Sequence, residues 1–305
     1  MERPSMTVTL DWLGCATFRL TVDDMVIYLD AYMDRVPSAP PVGLSADEVD
    51  RADFVLVGHS HFDHIAGAEV IAANTGARVI GSNETARIML DEGIAPEQLL
   101  RAQGGEHFRL SDTVTVRVYP SLHSCIWSTA ASNTGEIAAG DYGLTEDERW
   151  PPNRPLVNFG GVDSEESRLA MEHVESCTGS HETGGALAYV IETPEGSIFY
   201  HDTSGCWTRV VGDLHPDVAI VAMAGRPNID GEPIQGSLAQ FVGRMAGLLK
   251  PQTLFLGHHD AWMPPRTRDM TTEEALTPVR EEVSRVAPGV SLANVGYLES
   301  TRLLA

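Results

Sequence analysis

Residues 59–64 read His-Ser-His-Phe-Asp-His, and they come directly after the apolar run DFVLV at residues 53–57 and one glycine. A continuous apolar run of this length is typical of a strand buried on both faces. The sequence therefore places a His-rich loop where a buried strand ends. Imidazole and carboxylate groups are ligands for zinc, manganese and iron. Because residues of such a loop can turn toward two neighbouring points, the run is predicted to bind two adjacent metal ions. The predicted ligands are His59, His61, Asp63 and His64.

Four ligands cannot complete two metal sites, and three further ligand-type residues stand at the ends of predicted strands. They are His123 after VTVRVY (114–119), Asp202 at the end of SIFYHD (197–202) and His258 after TLFLG (253–257). Strands of an α/β sheet end at a common edge, so we expect these side chains to meet the His-rich loop. His259 is the alternative to His258, because the two histidines are adjacent.

Composition limits the classes of partner. The chain has 305 residues, 43% of them hydrophobic, and a formal net charge of -22. That charge repels nucleic acid and acidic membrane surfaces, so neither is expected as a partner. A small-molecule substrate is expected instead. An anionic one remains open, because bound divalent cations would make the site locally positive.

The cysteines and the first residues indicate a cytoplasmic protein. Cys15, Cys125, Cys177 and Cys206 are far apart and form no CxxC pair, which argues against a structural zinc knuckle and fits a reducing compartment. The opening MERPSMTVTLDWLG has no signal-peptide pattern, and no apolar stretch approaches the ~20 residues of a membrane span.

Strands and then helices occur in each half of the chain, which predicts two sheets sandwiched between helices in a single α/β domain over residues 1–305. Residues 125–182 are rich in Gly, Pro, Asn and acidic residues and are predicted to form an insertion or lid. The predicted strands are 7–13, 16–22, 25–30, 53–57, 78–80, 114–119, 186–193, 197–202, 217–222, 253–257 and 290–293. The predicted helices are 64–74, one opened by Ser82 or Asn83, 165–175, 235–249 and 272–287.

With these motifs in place, the chain resembles the metallo-β-lactamase superfamily. Residues 59–64 meet its HxHxDH signature, and the later His, Asp and His follow in the same order and spacing. Within the superfamily it is most similar to the branch of L-ascorbate-6-phosphate lactonase and N-acylphosphatidylethanolamine phospholipase D. The segments WLGCATF, LDAY and GGALAYVIET…YHDTSG carry that similarity.

The resemblance implies an αββα four-layer sandwich, two divalent metal ions (zinc first, manganese or iron as alternatives) and, as in many members, a homo-oligomer. It implies that His59, His61 and His123 hold one ion, that Asp63, His64 and His258 hold the other, and that Asp202 bridges them. Cys15 departs from the pattern. It stands where many members have histidine, near the site but not at a standard ligand position.

Two neighbouring divalent ions lower the pKa of a bridging water and so supply hydroxide at neutral pH. The sequence therefore predicts a dinuclear metal-dependent hydrolase, with Asp63 as proton acceptor and Asp30 as the partner that orients a ligand histidine. The expected substrate is a small-molecule lactone, ester or amide. The first alternative is a small or lipid phosphodiester, and the second is a non-hydrolytic metal-binding protein of the same fold.

Overall fold

Two seven-stranded sheets dominate the computed structural model, which describes residues 6–125, 164–233 and 236–304. The first sheet has the order β17-β1-β2-β3-β4-β5-β6, and the second has the order β16-β15-β12-β10-β9-β8-β7. Strands β11, β13 and β14 form a small third sheet. The strands are β1 (Val8–Trp12), β2 (Phe18–Val22), β3 (Met25–Leu29), β4 (Phe54–Leu56), β5 (Arg78–Gly81), β6 (Leu99–Arg101), β7 (His107–Arg109), β8 (Thr115–Pro120), β9 (Leu187–Thr193), β10 (Gly196–His201), β11 (Gly205–Cys206), β12 (Val218–Ala222), β13 (Asn228–Ile229), β14 (Glu232–Pro233), β15 (Thr253–Gly257), β16 (Ser291–Leu292) and β17 (Thr301–Leu304).

The described residues form seven helices. They are α1 (Phe62–Ile65), α2 (Ala68–Thr75), α3 (Asn83–Asp91), α4 (Glu165–Ser176), α5 (Thr208–Val211), α6 (Leu238–Leu249) and α7 (Glu273–Val286), with short 3-10 helices at Ala46–Glu48 and Pro96–Gln98. Apolar residues of α2 and α3 pack on the first sheet, and those of α6 and α7 pack on the second. A third cluster, drawn from the inward faces of both sheets, fills the space between them. The layers are therefore helix, sheet, sheet, helix.

Strand direction brings several loops to one edge of the second sheet. Strand β8 is antiparallel to β9 and β9 is antiparallel to β10, whereas β10, β12 and β15 are mutually parallel. Consequently β8, β10, β12 and β15 all end at the same edge. The loop after β4 of the first sheet is tied to that edge, because the amide of Leu187 donates to the carbonyl of Gly58 (2.8 Å) and the hydroxyl of Tyr189 donates to that of Val57 (2.7 Å).

The larger predicted elements are confirmed with small shifts of their ends. Strand β15 has the predicted bounds, and Ser82 caps α3 by accepting the amide of Thr85 at 3.1 Å. The single helix predicted over 64–74 is wrong, because α1 ends at Ile65 and α2 begins after Gly67. Gly67 has a φ of +103°, and a Cβ there would lie 2.5 Å from the carbonyl oxygen of Ala31. The chain must turn at this point, so one continuous helix cannot form.

Part of the predicted lid, residues 126–163, lies outside the described residues. The helix predicted at 165–175 is present as α4, and its Ala170 and Val174 are buried against Tyr32, Phe62 and Trp262. This end of the predicted lid thus contributes to an apolar cluster beside the His-rich loop. Among the described residues, no helix is long and apolar enough to cross a membrane.

Candidate metal centre

The His-rich loop is held at the joint edge of the two sheets by its own backbone. The amide of Gly58, just before the loop, donates to Oδ1 of Asp30 at 2.6 Å. His61 then caps α1, so that Asp63 and His64 fall in the first turn of that helix. Strand and helix therefore fix the direction in which each of the loop's side chains points.

The first group of candidate ligands consists of three histidines. Potential ligand atoms of His59, His61 and His123 all lie within 4.8 Å of one another. Nε2 of His59 is 3.2 Å from Nδ1 of His61, and the ring of His123 lies 4.6 Å from that of His59. Nδ1 of His123 is 2.9 Å from the carbonyl of Ser124, to which it can donate, and this leaves Nε2 for another partner.

Burial sets the charge of these rings. Burial, followed by the charge of His64, lowers the pKa of His59 well below its ordinary value. Burial and neighbouring His61 have the same effect on the pKa of His123. Both imidazoles are therefore neutral at physiological pH, and neutral imidazole is the form that binds a metal ion.

The second group is centred on Asp63. Its Oδ2 lies 3.4 Å from Nε2 of His258 and 3.8 Å from Nε2 of His64. Burial raises the pKa of the Asp63 carboxyl, but the adjacent histidines outweigh burial and hold that pKa below its usual range. His259 lies elsewhere, since its ring stacks on Trp12 with centroids 4.7 Å apart. Of the two adjacent histidines, the structure thus brings His258 and not His259 to the centre.

Asp30 fixes the orientation of His64, as the sequence predicted. Its Oδ2 lies 2.5 Å from Nδ1 of His64 and accepts the hydroxyl of Tyr200 at 2.6 Å. Burial disfavours the charged form of His64, yet the carboxylates of Asp30 and Asp63 outweigh this and raise its pKa to about 9. Without a cation both ring nitrogens are therefore protonated at neutral pH. A metal ion at Nε2 would displace the proton there, while Asp30 would retain the proton on Nδ1.

Asp202 follows β10 and lies against the end of β15. It is 2% exposed, and neither carboxylate oxygen has a hydrogen-bond partner among the described residues. Burial raises the pKa of Asp202 well above its ordinary value. Space for the carboxylate exists because residue 257 is glycine, where a Cβ would lie 2.1 Å from Oδ2 of Asp202.

The sequence of the chain is similar to those of known proteins. Residues 26–140, which include the His-rich loop, match the model of the β-lactamase superfamily domain. A UPF0173 metal-dependent hydrolase of Anaeromyxobacter sp. is 33% identical over 253 residues, which cover 81% of this chain and 73% of the relative. The chain belongs to the UPF0173 metal-dependent hydrolase family. It is accordingly a metal-dependent hydrolase of the β-lactamase superfamily.

Solved structures place this UPF0173 hydrolase in the metallo-β-lactamase fold. Igni18, titled a novel metallo hydrolase from Ignicoccus hospitalis, superposes with a TM-score of 0.61 at 16% identity, over 97% of both chains. An isothiocyanate hydrolase from Delia radicum gut bacteria superposes with a TM-score of 0.58 at 14% identity, over 97% of this chain and 99% of the other. Both likenesses concern the fold, and both extend over almost the whole chain.

The donor atoms of this UPF0173 hydrolase fit divalent metal ions. Buried polar atoms almost always have a hydrogen-bond partner, and a buried ionised carboxylate without one is strongly disfavoured. Yet Nε2 of His64, Nε2 of His258 and both oxygens of Asp202 are buried without hydrogen-bond partners among the described residues. A cation between these groups would satisfy all of them.

One residue of the centre was missed from sequence. Tyr200, whose hydroxyl donates to Asp30, lies two positions before Asp202, and that spacing was the available signal. Cys15 was expected near the site but not among its ligands. The structure places its sulfur within 4.8 Å of candidate ligand atoms of Asp63 and His258.

Replacing Asp30 by asparagine tests its role as a positioning residue. The amide keeps an acceptor for the Gly58 N–H but loses the charge that orients His64. We expect the affinity for one of the bound ions to fall about 10- to 100-fold, the usual effect of losing such a partner. Competition with a fluorescent chelator measures this.

The matched control for this prediction is Asp11→Asn, since Asp11 is also buried but pairs with Arg19 at 2.9 Å on the first sheet. Unchanged affinity in Asp30→Asn, or an equal loss in both variants, would show that Asp30 does not act through His64.

Proposed function

We propose that the chain is a dinuclear metal-dependent hydrolase that acts on a small-molecule lactone, ester or amide. The observation that carries this proposal is the convergence of two ligand groups, one of three histidines and one around Asp63. Asp202 is buried at the same sheet edge, against the Gly257 that precedes His258. We assign His59, His61 and His123 to one ion and Asp63, His64 and His258 to the other, with Asp202 between them. Zinc is the proposed metal, and manganese or iron would accept the same nitrogen and oxygen donors.

Two bound divalent ions would lower the pKa of a shared water toward neutrality and polarise the bond that it attacks. Asp63, whose side chain is 12% exposed, accepts the proton of the attacking water and passes it to the leaving oxygen or nitrogen. Asp30 would keep the Nδ1 proton of His64 in place while an ion takes the position of the Nε2 proton, so that the ring binds as a neutral ligand. His59 and His123, both neutral, hold their positions without adding charge.

Charge favours an uncharged substrate. Two divalent ions bring four positive charges, and the carboxylates of Asp30, Asp63 and Asp202 offset three of them. A hydroxide nucleophile offsets the fourth, and the whole chain carries a net charge of -22. A neutral carbonyl compound therefore approaches without repulsion, whereas each negative charge on a substrate is opposed by the field of the protein.

Arg266 is the observation that favours a second candidate, hydrolysis of a small or lipid phosphodiester. Burial lowers the pKa of Arg266, and the carboxylate of Asp63 opposes that effect. A guanidinium that reached the substrate would bind a phosphate oxygen. Arg266 is one cation against several carboxylates, so we rank this function second.

A substrate panel tests the proposed function. Metal-loaded protein is assayed with a lactone, an aryl ester, a nitrocefin-type lactam and bis(4-nitrophenyl) phosphate. We expect kcat/KM for the lactone or ester to exceed that for the phosphodiester by at least about 100-fold, or about 2.7 kcal/mol of transition-state free energy. His61→Ala and chelator-treated protein serve as inactive controls.

Faster cleavage of the phosphodiester would replace the first candidate by the second. Absence of hydrolysis with zinc, manganese or iron would leave a non-hydrolytic metal-binding protein. Full activity and two bound ions in His61→Ala would show that the ligands are assigned incorrectly.

A further inference from the structure

The thiol of Cys15 lies inside the metal centre. Cys15 is 0% exposed, and its Sγ, a carboxylate oxygen of Asp63 and an imidazole nitrogen of His258 all lie within 4.8 Å of one another. Sulfur, oxygen and nitrogen at these separations match the ligand set of a divalent ion bound at about 2.0–2.3 Å from each. We propose that Cys15 binds the second metal ion as a thiolate, together with Asp63 and His258. This inference rests on the dinuclear centre proposed above.

A backbone hydrogen bond holds Cys15 next to His258. The amide of His258 donates to the carbonyl of Cys15 at 2.8 Å, although the two residues are far apart in the chain. Both residues adopt left-handed backbone conformations, with φ of 47° for Cys15 and 61° for His258. This region is uncommon for residues other than glycine. The paired conformations direct two ligand-type side chains toward Asp63.

A buried network keeps this pair in place. The carboxylate of Asp260 accepts the amide of Cys15 at 3.2 Å and the hydroxyl of Tyr297 at 2.5 Å, and it pairs with Arg35 at 2.5 Å. Arg35 thus neutralises Asp260, whose role is to anchor the Cys15 turn. The network engages the backbone amide of Cys15 and not its side chain, so the Cys15 sulfur stays directed at the centre.

The surroundings of the sulfur are those of a ligand. Among the described residues, the Cys15 sulfur makes a weak hydrogen bond of 3.7 Å to the carbonyl of Asp63 and is in no disulfide. Nε2 of His258, on a side chain that is 9% exposed, also lacks a hydrogen-bond partner among the described residues. Burial and then the charges of Asp63, Asp260 and Asp202 raise the pKa of the Cys15 thiol, which is therefore neutral until a cation arrives.

Metal binding would convert the thiol to a thiolate. The S–H bond breaks, its proton leaves to solvent, and a sulfur lone pair forms the bond to the ion. Thiolate is a soft ligand, which favours zinc over manganese or magnesium at this position. It also adds a negative charge to the centre and thereby strengthens the preference for an uncharged substrate.

X-ray absorption spectroscopy of the zinc-loaded protein tests this inference without an activity assay. We expect a sulfur shell at about 2.3 Å from zinc, with about one sulfur for every two ions. Cobalt-loaded protein should likewise show a near-ultraviolet thiolate-to-cobalt charge-transfer band. Both signals should disappear in Cys15→Ala. They should persist in Cys206→Ala, which removes a cysteine of equal burial from the outer cluster of the second sheet.

The outcomes separate the two proposals. Two bound ions with no sulfur shell in the wild-type protein, or a shell that survives in Cys15→Ala, would overturn the role of Cys15 and leave the dinuclear centre intact. A sulfur shell in a protein that binds one ion would support Cys15 and overturn the dinuclear centre. If Cys15→Ala does not fold, Cys15→Ser serves instead, because it keeps a polar side chain and removes the sulfur; the shell should be absent there too, and its survival would overturn the role of Cys15.

Discussion

Asp63→Asn should lower kcat/KM by about 100- to 10,000-fold, the range over which a positioned general base contributes. The loss has two sources, because the amide is both a weaker ligand and unable to accept the proton of the attacking water. Its oxygen would still face His64 and His258, at the 3.8 Å and 3.4 Å separations of the carboxylate. Parallel measurements of kcat/KM and of bound metal separate the two sources.

Asp217→Asn is the matched control for Asp63→Asn. Asp217 also accepts a backbone amide, that of Ser197 at 2.8 Å, but it precedes β12 at the sheet edge opposite the centre. Asp217→Asn should keep the wild-type kcat/KM and two bound ions. If Asp63→Asn retained full activity and two ions, Asp63 would be neither ligand nor base.

Gly257→Ala should reduce kcat/KM by about 100-fold while the protein still folds. The added Cβ would lie 2.1 Å from Oδ2 of Asp202, so the carboxylate must move away by about 1 Å. A misplacement of that size at a reacting centre lowers the rate by about two orders of magnitude. The atom that must move is the end of a side chain, and the strand backbone can stay in place. Circular dichroism, thermal unfolding and metal content should accompany the kinetics.

Gly247→Ala provides the control for this methyl group. Gly247 lies within α6, where an added Cβ meets no atom within 4 Å, and alanine is the better helix former. We expect unchanged kinetics and an equal or higher melting temperature. If Gly257→Ala kept wild-type kinetics and both ions, the position of Asp202 would not matter for catalysis.

Much of the fold and of the candidate centre was predictable because local patterns specify both. Apolar runs mark the buried strands, and a ligand-type residue at a strand end is legible without knowing the tertiary structure. His123, Asp202 and His258 were predicted in this way, and the structure brings His123 and His258 into the two groups of candidate ligands. The orientation of a ligand histidine by Asp30 was predicted on the same ground.

Other features depend on contacts between distant segments and have no local pattern. The hydrogen bond between His258 and Cys15 is one of these, and the network that joins Asp260 to Arg35 is another. Strands β6, β7, β11, β13, β14 and β17 were not predicted, because segments of two to four residues show too little alternation. The break between α1 and α2 was missed because it depends on the closeness of Gly67 to the carbonyl of Ala31.

The two ligand groups differ in how much chain they enclose. The three histidines lie between residues 59 and 123, whereas the group around Asp63 is complete only at residue 258. Loop-closure entropy grows with the logarithm of loop length, so closing the second loop, roughly three times longer, costs about 1 kcal/mol more. The first histidine group also depends on the second half of the chain, because β8, which ends just before His123, pairs with β9. In the second group the ligands themselves come from both halves, and an ion bound there would act as a cross-link between them.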